Sequence, residues 1–231
     1  MCFSAEADFA AAVFTAPVGV LALRWAPTRA DLPIAALPLL FAVHQGVEGF
    51  VWLGFDGTVG AGLSTAAIVV YLLIAQVVLP LLVPFGVRAI EPIAWRRRAL
   101  LVPAAAGVAV AAWVIYVMSI EDIAAHPERN AVIYETDYRI GTFSTAAYAI
   151  STLGAVLLTS RRRLLAFGLV NAAGFGLAAL VRYESVTSVW CAYAALTSAI
   201  VLVHLRQRRR EERVDAGPDD GDRRRVAAAT G

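Results

Sequence analysis

The chain of 231 residues has no lysine, two cysteines and three histidines, and only 16% of its residues are charged. Without lysine no retinal Schiff base can form, so a rhodopsin function is excluded. Cys2 and Cys191 are too few for a disulfide framework and lack the spacing of a metal finger. No His-Glu-x-x-His or Cys-x-x-Cys sequence occurs. A zinc hydrolase of the alkaline ceramidase type would need several histidines, including a pair on its last helix, where only His204 stands. Haem is not expected either. His44 falls near the middle of one apolar segment and His204 near the cytoplasmic end of another, about 10 Å apart in depth, while His126 lies in a loop. The low charge accompanies 59% hydrophobic residues and a mean hydropathy of +0.68. One small soluble core cannot hide so much apolar surface. A soluble enzyme, a nucleic-acid binder and a disordered regulator are thereby excluded. An all-α, polytopic membrane protein remains.

A membrane-crossing helix needs about 20 mostly apolar residues. Seven segments meet this, near 5–24, 33–54, 60–87, 99–119, 141–160, 163–182 and 186–205. The first is the weakest, because Glu6 and Asp8 lie in its opening turns, and its buried part is expected from about Phe9. The third exceeds the bilayer thickness and should tilt, protrude or kink at Pro80.

All 20 basic residues are arginine, and they are segregated. Seven spans put Arg24, Arg29, Arg88, Arg96 to Arg98, Arg161 to Arg163 and the cluster from Arg206 onward on one side. The other side receives Arg129, Arg139 and Arg182. Basic residues near span ends stay cytoplasmic, so the N-terminus is expected outside and the C-terminus in the cytoplasm. The expected organisation is a seven-helix domain over 1–206 and a disordered, charged cytoplasmic tail over 207–231. Its arginines would anchor the last span and touch anionic lipid headgroups. A cleaved leader is not expected, since residues 1–9 carry Glu6 and Asp8 and no arginine. The loop 120–140 is the long one, with room for a short helix or lid over an outward cavity.

Ionisable groups inside hydrocarbon are costly and point to function. The second segment offers His44 and Glu48, one turn apart, with Gln45 and Trp52 extending the same face. Counted from Gly54 at about 1.5 Å per residue, Glu48 lies about 9 Å and His44 about 15 Å below the outer edge. Such a pair can share a proton, bind a metal, or simply lock helices together by hydrogen bonds. Trp190 and Cys191 sit about one turn into the last segment, at a depth where tryptophan often serves as a belt residue. If the first and last helices are neighbours, Cys2 can approach Cys191. Disulfide, shared metal ligation and two inert thiols stay open there. In that arrangement the N-terminal residues fold back over the outer mouth and Glu6 faces the cavity of Glu48. Gln76, Pro80, Tyr148 and Asn171 complete the buried polar set and read mainly as packing contacts.

The start MCFSAEADF, the stretch LPLLFAVHQGVEGFVWLG and the stretch SVWCAYAALTSAIVLVHL together resemble an uncharacterised family of bacterial integral membrane proteins. Its members begin Met-Cys-Phe-Ser-Ala and carry Gln-x-x-Glu-Gly-x-x-Trp and Ser-Val-Trp-Cys stretches. The resemblance supplies no function. It singles out Cys2, Ser4, Gln45, Glu48, Trp52, Trp190 and Cys191, and implies a multi-pass protein of the bacterial cytoplasmic membrane. His44 departs from the family pattern, in which Gln often stands there. The candidate pocket is therefore Cys2, Ser4, Glu6, His44, Gln45, Glu48, Trp52, Trp190 and Cys191, with Cys2, His44, Glu48 and Cys191 as metal-ligand candidates. The expected function is that of a ligand- or metal-binding sensor with an outward-facing polar pocket. An intramembrane enzyme using a thiol or metal, and a small-solute transporter using Glu48, are the alternatives.

Overall fold

The computed structural model describes residues 4–121, 123–128, 131–135, 142–182, 193, 195 and 197–215. The described chain is mostly helical. Helix α1 is Ala5–Trp25, α2 Leu32–Phe55, α3 Ala61–Ile90 and α4 Leu101–Ile120, the last preceded by a short helix at Ala94–Ala99. After a β-hairpin come α5 over 142–157, α6 Arg162–Arg182 and α7 Ala199–Asp215. Among the described residues four helical stretches, Ala5–Trp25, Arg29–Phe55, Ala61–Ile90 and Ala94–Ile120, are long and apolar enough to cross a membrane. That fits a multi-pass membrane protein in contact with lipid, with residues such as Phe14, Val102 and Leu180 exposed along its sides.

Helix α1 packs along most of α2. It starts at the N-cap Ser4, whose hydroxyl accepts from the Ala7 amide at 3.4 Å. Its buried stripe is Ala5, Asp8, Thr15, Gly19 and Ala22, small residues at helical spacing that let the two backbones approach. A Cβ on Gly19 would stand 2.5 Å from the Leu39 Cα, so only glycine fits. The buried part of α1 thus begins before Phe9, and it includes Asp8.

Pro80 does not simply kink the third span. It lacks an N–H and its ring crowds the carbonyl four residues earlier, and α3 answers with a wider π-helical turn at Leu73–Val78. A second π turn occupies Ile150–Gly154 of α5, and both pack on α4. Gly107 of α4 lies at that crossing against the Pro80 carbonyl.

An all-α reading omits the loop after α4. There Ala124–Glu128 and Ala131–Glu135 form an antiparallel hairpin, with Ala125 opposite Tyr134 and Pro127 opposite Val132. β-Branched and aromatic residues at period two explain the strands: Val132 and Tyr134 turn to the same face and pack with Val51, Ala67, Ile68 and Tyr71. The hairpin therefore covers the ends of α2 and α3 where these join.

At the other end of the bundle the arginine-bearing turns are tied together. Asp31, before α2, receives Arg208 of α7 at 3.4 Å, and Arg206 lies over the Trp25 ring at 6.0 Å. Arg96 donates to the carbonyls of Leu158 and Thr159 at 3.0 and 2.7 Å. Glu91 accepts from the amides of Ser160 and Ile93 at 2.7 and 3.0 Å and from the Thr159 hydroxyl at 3.2 Å. Burial alone would raise the pKa of Glu91, but these donors outweigh it and hold the carboxyl below its ordinary value. The first and last described helices are neighbours. Helix α7 also runs on to Asp215, so 207–215 is not disordered tail: Arg208 pairs with Glu212 at 3.3 Å and Gln207 donates to Glu211 at 2.8 Å, both one turn apart.

Candidate functional site

The polar centre of the bundle is built on one face of α2. His44, Gln45 and Glu48 all have no exposed surface, and the Gln45 amide donates to a Glu48 carboxylate oxygen at 3.1 Å. Spacing of three and four residues dictates this shared face. The His44 ring stacks on Tyr71 of α3, with centroids 4.0 Å apart and planes 29° off parallel. Tyr71 in turn stacks on Tyr134 of the hairpin at 4.4 Å and 11°. Three rings from α2, α3 and the second strand of the hairpin thus form one column beside the carboxylate. Neither ring nitrogen of His44 makes a well-formed hydrogen bond among the described residues, although the Tyr71 backbone lies close to the ring. A buried imidazole left so is costly unless something else meets it.

Trp52 lies one turn further along α2, half-buried, edge-on to Phe55 at 5.9 Å. On α1, Phe9 packs against Gly49 and sits edge-on to Phe50 at 5.4 Å, which brings the start of α1 to the level of Glu48.

Of the residues singled out in the sequence, His44, Gln45 and Glu48 come together and Trp52 flanks them. Ser4 caps α1. Glu6 does not face the centre of Glu48: it is exposed, because the inward stripe of α1 runs through Ala5 and Asp8 and leaves position 6 a quarter-turn and more away. Cys2, Trp190 and Cys191 lie outside the described residues, and so does the question of a disulfide or fold-back between them. Among the described residues no three of His, Cys, Asp and Glu converge as a metal cluster.

Sequence reasoning passed over Asp8, Tyr71 and Tyr134. Asp8 is 1% exposed, the buried acid of α1. Its i, i+7 register with Thr15 and Ala22 was the signal that could have found it. Tyr71 had none beyond its place in an apolar run. Of the four packing residues, Asn171 donates to the Phe167 carbonyl at 2.8 Å and to the Thr197 hydroxyl at 3.1 Å, joining α6 to the start of the last helical stretch. The Tyr148 carbonyl accepts from Ser151 and Thr152, both at 2.8 Å, inside the second π turn.

A model of a family of unknown function, DUF6629, matches residues 1–216. The chain belongs to this family. The match runs from the N-terminus through α7, so it takes in the polar centre of α2, the hairpin and the arginine-bearing end alike. No curated protein and no solved structure matches the chain.

Proposed function

We propose that the chain is a seven-span protein of a bacterial cytoplasmic membrane, N-terminus outside, which binds a small ligand at the polar centre of α2 beneath the hairpin. One observation carries the reading: Glu48, Gln45 and His44 are fully buried side by side on a helix long and apolar enough to cross a membrane. A carboxylate at that depth costs several kcal/mol and is retained where it pairs or binds. A carboxylate, an amide and an imidazole beside stacked phenol rings suit a small organic cation or hydrogen-bonding solute. A metal would need a third ligand beyond His44 and Glu48.

The orientation rests on the arginine asymmetry, supported by the way Arg96, Arg206 and Arg208 knit the loops at one end of the bundle. A reporter fused at the C-terminus should be active only if it works in the cytoplasm; activity of a reporter that requires export would reverse the topology. Along the arginine-bearing end the protein would contact anionic lipid headgroups.

Thermal unfolding of the purified protein in neutral detergent tests the site. Small amines, guanidinium compounds and divalent cations are added in turn to the wild type and to Glu48→Gln. A ligand at a hundred times its Kd stabilises by about 2.7 kcal/mol, and Glu48→Gln should lose that gain while keeping the fold. Identical responses of both proteins to every compound would make the centre a structural lock instead.

A further inference from the structure

A second site stands at the arginine-bearing end, where the chain turns from α5 into α6. A cleft of about 330 Å³ opens there between the start of α6 and the face of α7, lined by Ser160, Arg161 to Arg163, His204, Gln207, Arg208 and Glu211. Four arginines against one glutamate leave it strongly positive. Arg208 is engaged by Asp31 and Glu212. The other three arginines meet no acid among the described residues: Arg161 reaches the Ile90 carbonyl at 3.5 Å and Arg163 the Gln207 amide oxygen.

Two further features converge on the same space. Helix α6 has 21 residues and makes its first helical bond from the Leu165 amide to the Arg161 carbonyl at 2.9 Å, so the amides of Arg162 and Arg163 precede the ladder. Such a helix start favours an anion through its free N–H groups and its dipole. His204 then lines the cleft while only 4% exposed, and its Nε2 has no hydrogen-bond partner among the described residues. A buried ring nitrogen left unsatisfied at the wall of a basic cleft is a vacant hydrogen-bond position.

We infer that this cleft is a phosphate-group site. Guanidinium forks match the oxygens of a phosphate, the α6 amides add donors without side-chain entropy, and His204 Nε2–H supplies the inner contact. The phosphate can belong to the headgroup of an anionic phospholipid or to a free phosphorylated solute. A neighbouring cleft of about 260 Å³ shares Arg163 and Gln207 and adds Arg206, Arg210 and the exposed Val203. An apolar side chain at the rim of a basic cleft offers an acyl chain its path out. The inference deepens the anionic-lipid contact proposed above, turning a diffuse attraction into a built site.

The test uses the full chain in neutral detergent. Native mass spectrometry compares retention of an anionic with a zwitterionic phospholipid, and titration calorimetry measures inorganic phosphate. The variants are Arg162→Gln/Arg163→Gln, whose side chains are exposed, and His204→Gln, with Arg97→Gln/Arg98→Gln on the short helix before α4 as the control. Removing one charge-assisted hydrogen bond should weaken binding by about tenfold or more, in the cleft variants and not in the control. Retention of the anionic lipid without phosphate binding assigns the site to headgroups; phosphate binding abolished in the cleft variants assigns it to soluble phosphate chemistry as well. Equal weakening in cleft and control variants overturns the site and leaves the diffuse lipid attraction standing. No preference for the anionic lipid and no phosphate binding in the wild type overturns both.

Discussion

Tyr71→Ala should lower the unfolding midpoint in detergent far more than Tyr71→Phe. Tyr71 has no exposed surface and is the middle ring of the column between His44 and Tyr134. It also sits in the cluster of Val51, Ala67, Ile68 and Val132, where α2, α3 and the hairpin meet. Truncation removes the ring, leaves a cavity that rigid helices cannot close, and costs about 3–5 kcal/mol by analogy with aromatic-to-alanine changes in other cores. Two stacked pairs go with it, each worth about 0.5–1.5 kcal/mol beyond buried area. Phenylalanine keeps both the volume and the stacking. The destabilisation should also appear as faster amide exchange in the strands Ala124–Glu128 and Ala131–Glu135, because Tyr134 stacks on that ring. A small midpoint change in Tyr71→Ala, with the hairpin equally protected, would mean that other contacts hold the hairpin.

Gly107→Ala should be comparably damaging for the opposite reason. A Cβ there would overlap the carbonyl oxygen of Pro80 and stand 2.8 Å from its carbon, with the Ser151 Cβ at 3.5 Å on another side. Overpacking typically costs about 1–3 kcal/mol, and the upper end or beyond applies where the obstacle is backbone that cannot rotate away. The crossing also joins both π turns to α4, so separating the helices would disturb α3 and α5 together. Gly176→Ala is the matched control: among the described residues no heavy atom lies within 4 Å of its added Cβ. Alanine in a helix is favoured over glycine by about 0.5–1 kcal/mol, so that variant should be neutral or slightly stabilised. Thermal unfolding and the yield of monodisperse protein read both. Equal behaviour of the two variants would show that the helices slide apart freely at Gly107.

The local pattern of the sequence reached as far as local physics does. Apolar runs bounded by arginine, proline and glycine marked where α1 to α4 lie to within a few residues, because a helix in hydrocarbon satisfies its own backbone and its extent depends on nearby residues alone. The spacing of His44, Gln45 and Glu48 fixed their shared face for the same reason. Local pattern did not show that Glu6 is exposed beside the buried Asp8, nor that α7 runs on to Asp215.

Rotation and partnership were decided elsewhere. Whether Glu6 or Asp8 is buried depends on which stripe of α1 meets α2, and Gly19 against Leu39 sets that contact. Tyr71 becomes central only because residue 134, more than sixty positions later, returns as a strand and lays its ring on it. Glu91 is held by Thr159 and Ser160, and Asp31 by Arg208, across similar or greater distances along the chain. The cleft at His204 likewise exists only where the start of α6 meets the face of α7. Hydropathy is a sum over neighbours in sequence and carries nothing about these pairings. They follow from side-chain shape at the helix crossings, which tertiary packing alone supplies.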